Sequence, residues 1–158
     1  MTTQILSANF TLAELTATAT GLPNTPDAAT IVNLKAVCVN ILEPVRKQFA
    51  KPVIVHSGYR SAPVNTAVGG SNLSQHRMGE AADFHVAGHT VHEVALWISA
   101  HLDFDQLILE NFVPGAASSG WVHCSFAKQN RNMELTKFKG SKQYYAGIQL
   151  TVPVPAVH

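Results

Sequence analysis

The sequence predicts a single domain in which helices and short β-strands are combined. Hydrophobic residues make up 46% of the 158 residues and charged residues only 13%, where soluble domains average roughly 25% charged, so the chain has ample apolar material for one core. Apolar residues recur every three or four positions in 31–49, which indicates a helix, and alternate with polar residues in 82–86, which indicates a strand. With no repeat and no second domain in view, residues 1–158 are expected to form one unit.

The N-terminal third is predicted to be helical with one long loop. Thr11 and Glu14 form a capping-box pattern, which is typical of a short helical turn. A stretch rich in Thr, Ala and Pro follows, and it is predicted to be a loop that ends where Asp27 can cap the next helix. That helix covers about five turns in 31–49, and Pro44 is expected to kink it because its ring and missing N–H disturb the preceding turn.

Four strands are predicted in the rest of the chain. They cover residues 52–56, 82–86, 105–110 and 121–126. The first is expected to be buried and the second half-buried, with Asp83 and His85 on the same face. The last two are expected to form a hairpin, because the loop between them, 113–120, is rich in Pro, Gly and Ser.

The remaining segments are predicted to be a loop, a helix and a tail. Residues 64–73 contain Gly69 and Gly70 and are expected to be a loop with helical content at most. Thr90 and Glu93 form a second capping box, which opens a helix that runs to about residue 100. Residues 140–158, which end in a run that alternates Val with Pro, are expected to form an extended tail along the surface.

Charge and composition exclude several classes of partner. The 11 basic residues nearly balance the 10 acidic ones and form no basic run or face, so no nucleic acid is expected to bind. No run reaches the ~18 apolar residues of a membrane span, so none is expected. Cys38 and Cys124 can form neither a disulfide framework nor a Cys-type zinc site. We expect a monomer.

The densest group of chemically active residues lies between Ser74 and Asp83, with His123 much later. The imidazoles of His76 and His123 and the carboxylate of Asp83 suit a cation such as zinc, and three protein ligands leave a fourth position open for water. A chain of this size buries enough surface to fold without a metal staple, so the metal would serve catalysis. Taken alone, a histidine such as His123 is more often a structural or surface residue than a ligand.

Four motifs, in order, resemble those of a known family. They are Ser-Gly-Tyr-Arg-Ser at 57–61, Asn65 with Val-Gly-Gly at 68–70, Ser-x-His-x-x-Gly-x-Ala-x-Asp at 74–83, and Trp-x-His at 121–123. This set resembles the zinc peptidases of peptidoglycan, which include the zinc D-alanyl-D-alanine carboxypeptidases and the phage L-alanyl-D-glutamate endopeptidases. The resemblance implies an α+β fold, with a small antiparallel sheet flanked by helices and a zinc site on the sheet. One zinc ion per chain would be held by His76, Asp83 and His123.

The resemblance also implies roles for two further residues and a substrate. Arg60 matches the family arginine that binds a substrate carboxylate or the developing oxyanion, and Ser74 matches a residue that lines the site. The implied substrate is the stem peptide of bacterial peptidoglycan, whose carboxylates lie at the terminal D-alanine and at D-glutamate. Two other interpretations stay open: an inactive peptidoglycan-binding or phage structural module, and a zinc amidase of the cell wall.

The residue that would act as general base is not at the usual place. Some members of the family have an acidic residue three positions before the last histidine ligand, and others a histidine two before it, where this chain has Gly120 and Trp121. Our candidate is Glu110, because it ends a strand expected to pair with the strand of His123. Glu80 is a second candidate, whereas a cap role accounts for Glu93. The alternative for Glu110 is a solvated glutamate at a strand end.

Strand alternation places the remaining candidates. Trp121, His123 and Ser125 would share one face, so Cys124 would point away from the metal and serve as a small buried hydrophobe. His85 shares the face of Asp83 and is either a neighbour of the ligands or a rival ligand. His56 is expected to be structural.

The start of the chain bears on where it would act. Residues 1–10 have neither the basic start nor the apolar stretch of a signal peptide, so synthesis in the cytoplasm is expected. This fits a phage lysis enzyme that reaches the host periplasm and cell wall after another protein opens the inner membrane; a bacterial enzyme exported by other means is the alternative.

Overall fold

The fold is a layer of helices packed on one face of a six-stranded sheet, seen in a computed structural model that describes residues 4–154. The expected α+β class is confirmed. The expected small antiparallel sheet is wrong in two respects, because the sheet has six strands and one of its pairings is parallel.

Helices begin close to where the sequence predicts. They are α1 (Leu12–Thr16), α2 (Ala28–Val37), α3 (Glu43–Phe49), α4 (Ala62–Ala67), a 3₁₀ turn at Gln75–Met78 and α5 (Val91–His101). Both predicted capping boxes are present, at Thr11 for α1 and Thr90 for α5, and the side chain of Asp27 caps α2. The short α4 is the helical content expected within 64–73, begun two residues earlier at Ala62.

One continuous helix runs from α2 through α3. The irregularity expected at Pro44 takes the form of a π-helical turn, Cys38–Leu42, which ends just before the proline. Such a turn accommodates a residue that cannot donate a backbone hydrogen bond. By length and a mean hydropathy of 1.4 this helix is apolar enough to cross a membrane. One stripe of this helix, with Leu34, Ile41 and Val45, is fully buried in the core, whereas Val32 and Val39 on other sides of it are exposed.

The strands form a short ribbon and one main sheet. They are β1 (Ile5–Ser7), β2 (Phe10–Thr11), β3 (Val53–Ser57), β4 (Ala81–Val86), β5 (Gln106–Phe112), β6 (Trp121–Ser125), β7 (Met133–Phe138) and β8 (Tyr144–Ala146). β1 pairs with β2, and the main sheet has the order β3-β4-β6-β5-β7-β8. Its neighbours are antiparallel except for β5 and β7.

Three expectations about strands need correction. β7 was not expected, since its partner β5 is distant in sequence and the alternation in β7 is weak. Residues 140–158 are not simply an extended tail, because β8 pairs with β7 and the Thr136 hydroxyl donates to the Gly147 carbonyl at 2.8 Å; residues 155–158 lie outside the described part. β3 is not buried: it is an edge strand, and its Ile54 is 42% exposed.

The main sheet has two chemically different faces. The face toward the helices is apolar, and six of its side chains have no exposure at all: Ala82, Phe84, Leu107, Leu109, Val122 and Cys124. Cys124 therefore lies in the core, as predicted, where burial raises the pKa of its thiol. The opposite face carries Asp83, Glu110, His123 and Lys137, and we call it the cleft face. Successive residues of one strand thus serve packing and chemistry in turn.

Candidate metal centre and its cleft

Three donor groups meet on the cleft face. One ligand atom each from His76, Asp83 and His123 lies within 4.8 Å of the others. Asp83 Oδ1 is 2.9 Å from His123 Nδ1 and 3.2 Å from His76 Nε2. Asp83 on β4 pairs directly with His123 on β6, so the sheet register brings two of the three groups together.

His76 is positioned by the 3₁₀ turn rather than by the sheet. The Ser74 side chain accepts a hydrogen bond from the His76 backbone N–H at 3.3 Å. Gly79 ends the turn with φ +72, and a Cβ there would lie 2.7 Å from Thr30 Cγ2. Any other residue at this position would be strained and would also push the turn away from α2.

The hydrogen bonding of His76 fits a cation at this centre. Its Nδ1 lies 2.7 Å from the Gly58 carbonyl, which can only accept, so Nδ1 carries the proton. In the neutral ring Nε2 then turns a lone pair toward Asp83 Oδ1, another acceptor. Two acceptors at this distance require a proton or a metal ion between them. The donor set, two imidazoles and one carboxylate, is the type that zinc takes.

The Asp83 carboxylate is held ionised. Burial alone would raise its pKa, but the neighbouring imidazoles of His123 and His76 keep that pKa well below the usual range of a carboxyl group. A metal ligand must be deprotonated, so this environment suits the role.

Arg60 contacts the carboxylate of Asp83. Its Nη2 donates to Asp83 Oδ2 at 3.1 Å, and its Nε donates to Ser57 Oγ at 2.9 Å. Part of the guanidinium is therefore already occupied by the carboxylate of Asp83, a contact that could not be predicted from the sequence. The substrate contact expected for Arg60 stays a prediction.

A cleft of about 790 Å³ lies in front of these groups. All the predicted site residues line it: Arg60, Ser74, His76, Asp83, Glu110 and His123. The cleft also contains residues that the sequence analysis did not single out, among them Arg131, Lys137 and Tyr144. The structure therefore brings the predicted residues to one place and adds a wall from the C-terminal strands.

Glu110 stands on the cleft face one strand away from His123. It pairs with Trp121, two residues before His123, while Ile108 pairs with His123 itself. Burial raises the pKa of Glu110 above its ordinary value; the positive charge of His123 opposes this, and that of Lys137 does so less. Glu110 is thus a half-buried carboxylate beside the metal donors and not a solvated strand-end residue.

The geometry of Gly120 explains why no acidic residue occupies that position. Gly120 has φ +65, and a Cβ there would lie 2.1 Å from the Glu110 carbonyl oxygen. A side chain at 120 would collide with the backbone of Glu110, so in this chain that position cannot supply a carboxylate.

The other candidate residues lie outside this group. Glu80 does not line the cleft, and its pKa is raised by burial and then by nearby Asp105. Glu93 caps α5, as predicted. His85 pairs with His56, Nδ1 to Nε2 at 2.6 Å, and is not among the grouped metal donors.

An ion pair between buried Asp105 and exposed Arg131 supports the turn that carries His76. Asp105 is buried, accepts two bonds from the Arg131 guanidinium at 2.8 Å, and accepts one from Gln75 Nε2 at 2.8 Å. Because Gln75 precedes His76, Asp105 links the 3₁₀ turn to the segment before β7.

Most of the chain matches a known protein family. A family model described as Peptidase M15 matches residues 8–125, which includes all the grouped metal donors and Glu110. No curated protein matches the chain.

Proposed function

Because the chain belongs to the peptidase M15 family, we propose that it is a zinc-dependent metallopeptidase that cleaves peptide bonds in the stem peptides of bacterial peptidoglycan. Peptidases of this family are zinc-dependent, and the family suggests action on peptidoglycan. The observation that carries the proposal is the meeting of His76, Asp83 and His123 on the cleft face, with Glu110 on the neighbouring strand.

The three grouped donors would hold one zinc ion per chain. Bound there, zinc supplies Lewis-acid activation of water and of the scissile carbonyl. His76 keeps its ligand nitrogen toward the centre because the Gly58 carbonyl holds the proton on the other nitrogen. Arg60 keeps Asp83 in place, so we class it as a positioning residue; its remaining N–H groups are available to the negative charge that develops on the substrate.

Glu110 would act as the general base. Its carboxylate would take a proton from the attacking water at Oε1 or Oε2 and then deliver that proton to the leaving amine. A glutamate whose pKa is raised by burial is better matched to this transfer than a solvated one. Ser74 would shape the cleft wall through its cap on the turn of His76.

The proposal is tested with purified muropeptides, incubated with the protein with and without a chelator and analysed by mass spectrometry. We expect cleavage within the stem, intact glycan strands, loss of cleavage on chelation and its return with zinc. Far-UV circular dichroism should be unchanged by chelation, because the apolar core includes none of His76, Asp83 and His123 and a chain of this size buries enough surface to fold without a metal. Release of D-alanine alone would indicate a carboxypeptidase, and release of larger fragments an endopeptidase.

Two outcomes would contradict the proposal. Release of whole stems by cleavage at the lactyl amide would identify an amidase. Zinc binding without cleavage of any muropeptide would indicate a non-catalytic module.

A further inference from the structure

The cleft contains three cationic side chains, and they differ in what already neutralises them. Arg60 donates to Asp83, and Arg131 donates to Asp105. Lys137 lines the same cleft, yet within residues 4–154 no carboxylate lies at ion-pair distance from its ammonium. Among the cations of the cleft it is therefore the one whose charge no carboxylate of the described residues neutralises, and its ammonium can bind an anionic group.

The sheet places Lys137 beside the proposed general base. Leu109 on β5 pairs with Thr136 on β7, and these strands are parallel. The next residues along the two strands, Glu110 and Lys137, both line the cleft, and the register of the two strands shifts just beyond this point, between Leu109 and Phe112. Two strand spacings, roughly 10 Å, separate the strand of His123 from that of Lys137, and a few residues of an extended peptide cover this distance.

Tyr144 holds the lysine from the other side. It pairs with Lys137 across β7 and β8, and the Lys137 Nζ lies 5.8 Å from the centre of its ring. The ring restrains a flexible side chain through a cation–π contact, which leaves the ammonium N–H groups able to donate. Lys137 is half-buried, so its charge is less screened than on an open surface.

We propose that Lys137, held by Tyr144, binds a carboxylate of the substrate that lies near the scissile bond. This inference rests on the proposed peptidase function and deepens it, because it names a specificity-determining residue from a segment beyond the family-matched residues 8–125. In a stem peptide the carboxylate comes from D-glutamate or from the terminal D-alanine.

The test compares Lys137→Met with the wild type on matched peptides. In one arm the D-glutamate carboxylate is replaced by a carboxamide, and in the other the terminal carboxylate is replaced. One of the two carboxylates is expected to be the group that Lys137 binds. For peptides that keep this carboxylate, Lys137→Met should raise KM about 10-fold or more relative to the wild type. For peptides in which it is replaced by an amide, KM should change little, and kcat should stay within about threefold of the wild type. Lys137→Arg, which keeps the positive charge, should raise KM for the acid form less than Lys137→Met does. Tyr144→Ala, which removes only the ring beside the ammonium, should also raise KM less than Lys137→Met does.

Lys35→Met, on the exposed side of α2, is the matched control and should change nothing. The proposal would be overturned if Lys137→Met changed KM equally for the acid and amide forms in both arms, or if it lowered kcat alone. Lys137 would then act on the carboxylate of Glu110 and not on the substrate. Calorimetric binding of the same peptides to the zinc-loaded protein separates the two proposals. Preference for the acid that is lost in Lys137→Met supports the lysine site even if no bond is cleaved.

Discussion

The two faces of the main sheet are built by the same strands and differ completely in what their side chains do. Leu109 has no exposure and packs under the helices, whereas the next residue, Glu110, lies in the cleft. Val122 and His123 on β6 show the same contrast. Residues that stabilise the core and residues of the cleft are thus separated by one step of strand alternation, so mutations at neighbouring positions should affect stability and activity separately.

The largest effect is expected from removal of a metal donor on the cleft face. His123→Ala should lose zinc, and its activity should fall to background. This loss of activity should exceed the ~10–100-fold caused by removing a residue that only hydrogen-bonds to a metal ligand. Its far-UV circular dichroism should match the wild type. Zinc per chain is measured by atomic emission, with His101→Ala at the exposed end of α5 as control. Full zinc occupancy in His123→Ala would remove this residue from the ligand set.

Glu110→Gln should separate chemistry from metal binding on the same face. The amide has nearly the size of the carboxyl group but cannot take the proton, so turnover should fall about 10²–10⁴-fold. Zinc occupancy and melting temperature should stay close to those of the wild type. Glu80→Gln, outside the cleft, is the control. Wild-type turnover in Glu110→Gln would move the base to another group.

Leu109→Ala tests the apolar face next to the base. Truncation of a fully buried leucine should lower the free energy of unfolding by about 2–5 kcal/mol. Turnover per folded molecule should be retained, because the side chain points away from the cleft. Urea unfolding and single-temperature kinetics measure the two quantities. If activity fell while stability held, the two faces would not be independent.

Arg60→Lys tests the hydrogen bond from Arg60 to the Asp83 carboxylate. Lysine keeps the charge but cannot donate to Ser57 Oγ and Asp83 Oδ2 in one planar arrangement. Zinc affinity or activity should fall about 10–100-fold, as measured by competition with a chelating dye and by turnover at saturating zinc. Arg77→Lys, which is exposed, should show neither change. An increase in KM with unchanged zinc affinity would instead favour direct contact with substrate.

Asp105→Asn should have the smallest effect, on stability at the edge of the cleft. Hydrogen bonds from Arg131 hold the pKa of Asp105 below its usual value, although burial opposes this. The ionised form therefore stabilises the fold above about pH 4, and this contribution is lost as the pH falls through the folded-state pKa. The variant should lose about 1.5 kcal/mol at pH 7, since the arginine is half-exposed. Its stability should also depend less on pH below 4, as followed by denaturant unfolding at several pH values.

Local patterns predicted the helices and the core face well. Capping boxes at Thr11 and Thr90 are short-range signals, and both begin a helix in the structure. The period of two on β6 placed Cys124 in the core because alternation is a property of any strand. The position of Glu110 in the cleft could be predicted because a strand end next to the strand of His123 restricts where a carboxylate can lie; its role as base stays a prediction.

Long-range pairing was the part that the sequence could not supply. β7 contains Glu134 and Thr136 on its inner face, so its polar residues hide the apolar alternation expected of a half-buried strand. Both find hydrogen-bond partners, Ser99 for Glu134 and Gly147 for Thr136. Because β7 and β8 were not predicted, the part of the cleft wall that carries Lys137 was not predicted either. The contact of Arg60 with Asp83 likewise depends on the pairing of β3 with β4.

The parallel pair of β5 and β7 also determines when this chain can finish folding during its synthesis. β5 and β6 leave the ribosome first, and until Met133–Phe138 follows, one side of β5 presents unpaired N–H and C=O groups. Such an edge readily recruits strands from other chains. A nascent chain that has reached only residue 125 would hold the metal donors but expose that edge. Protection from aggregation therefore depends on a strand that contributes none of the grouped metal donors.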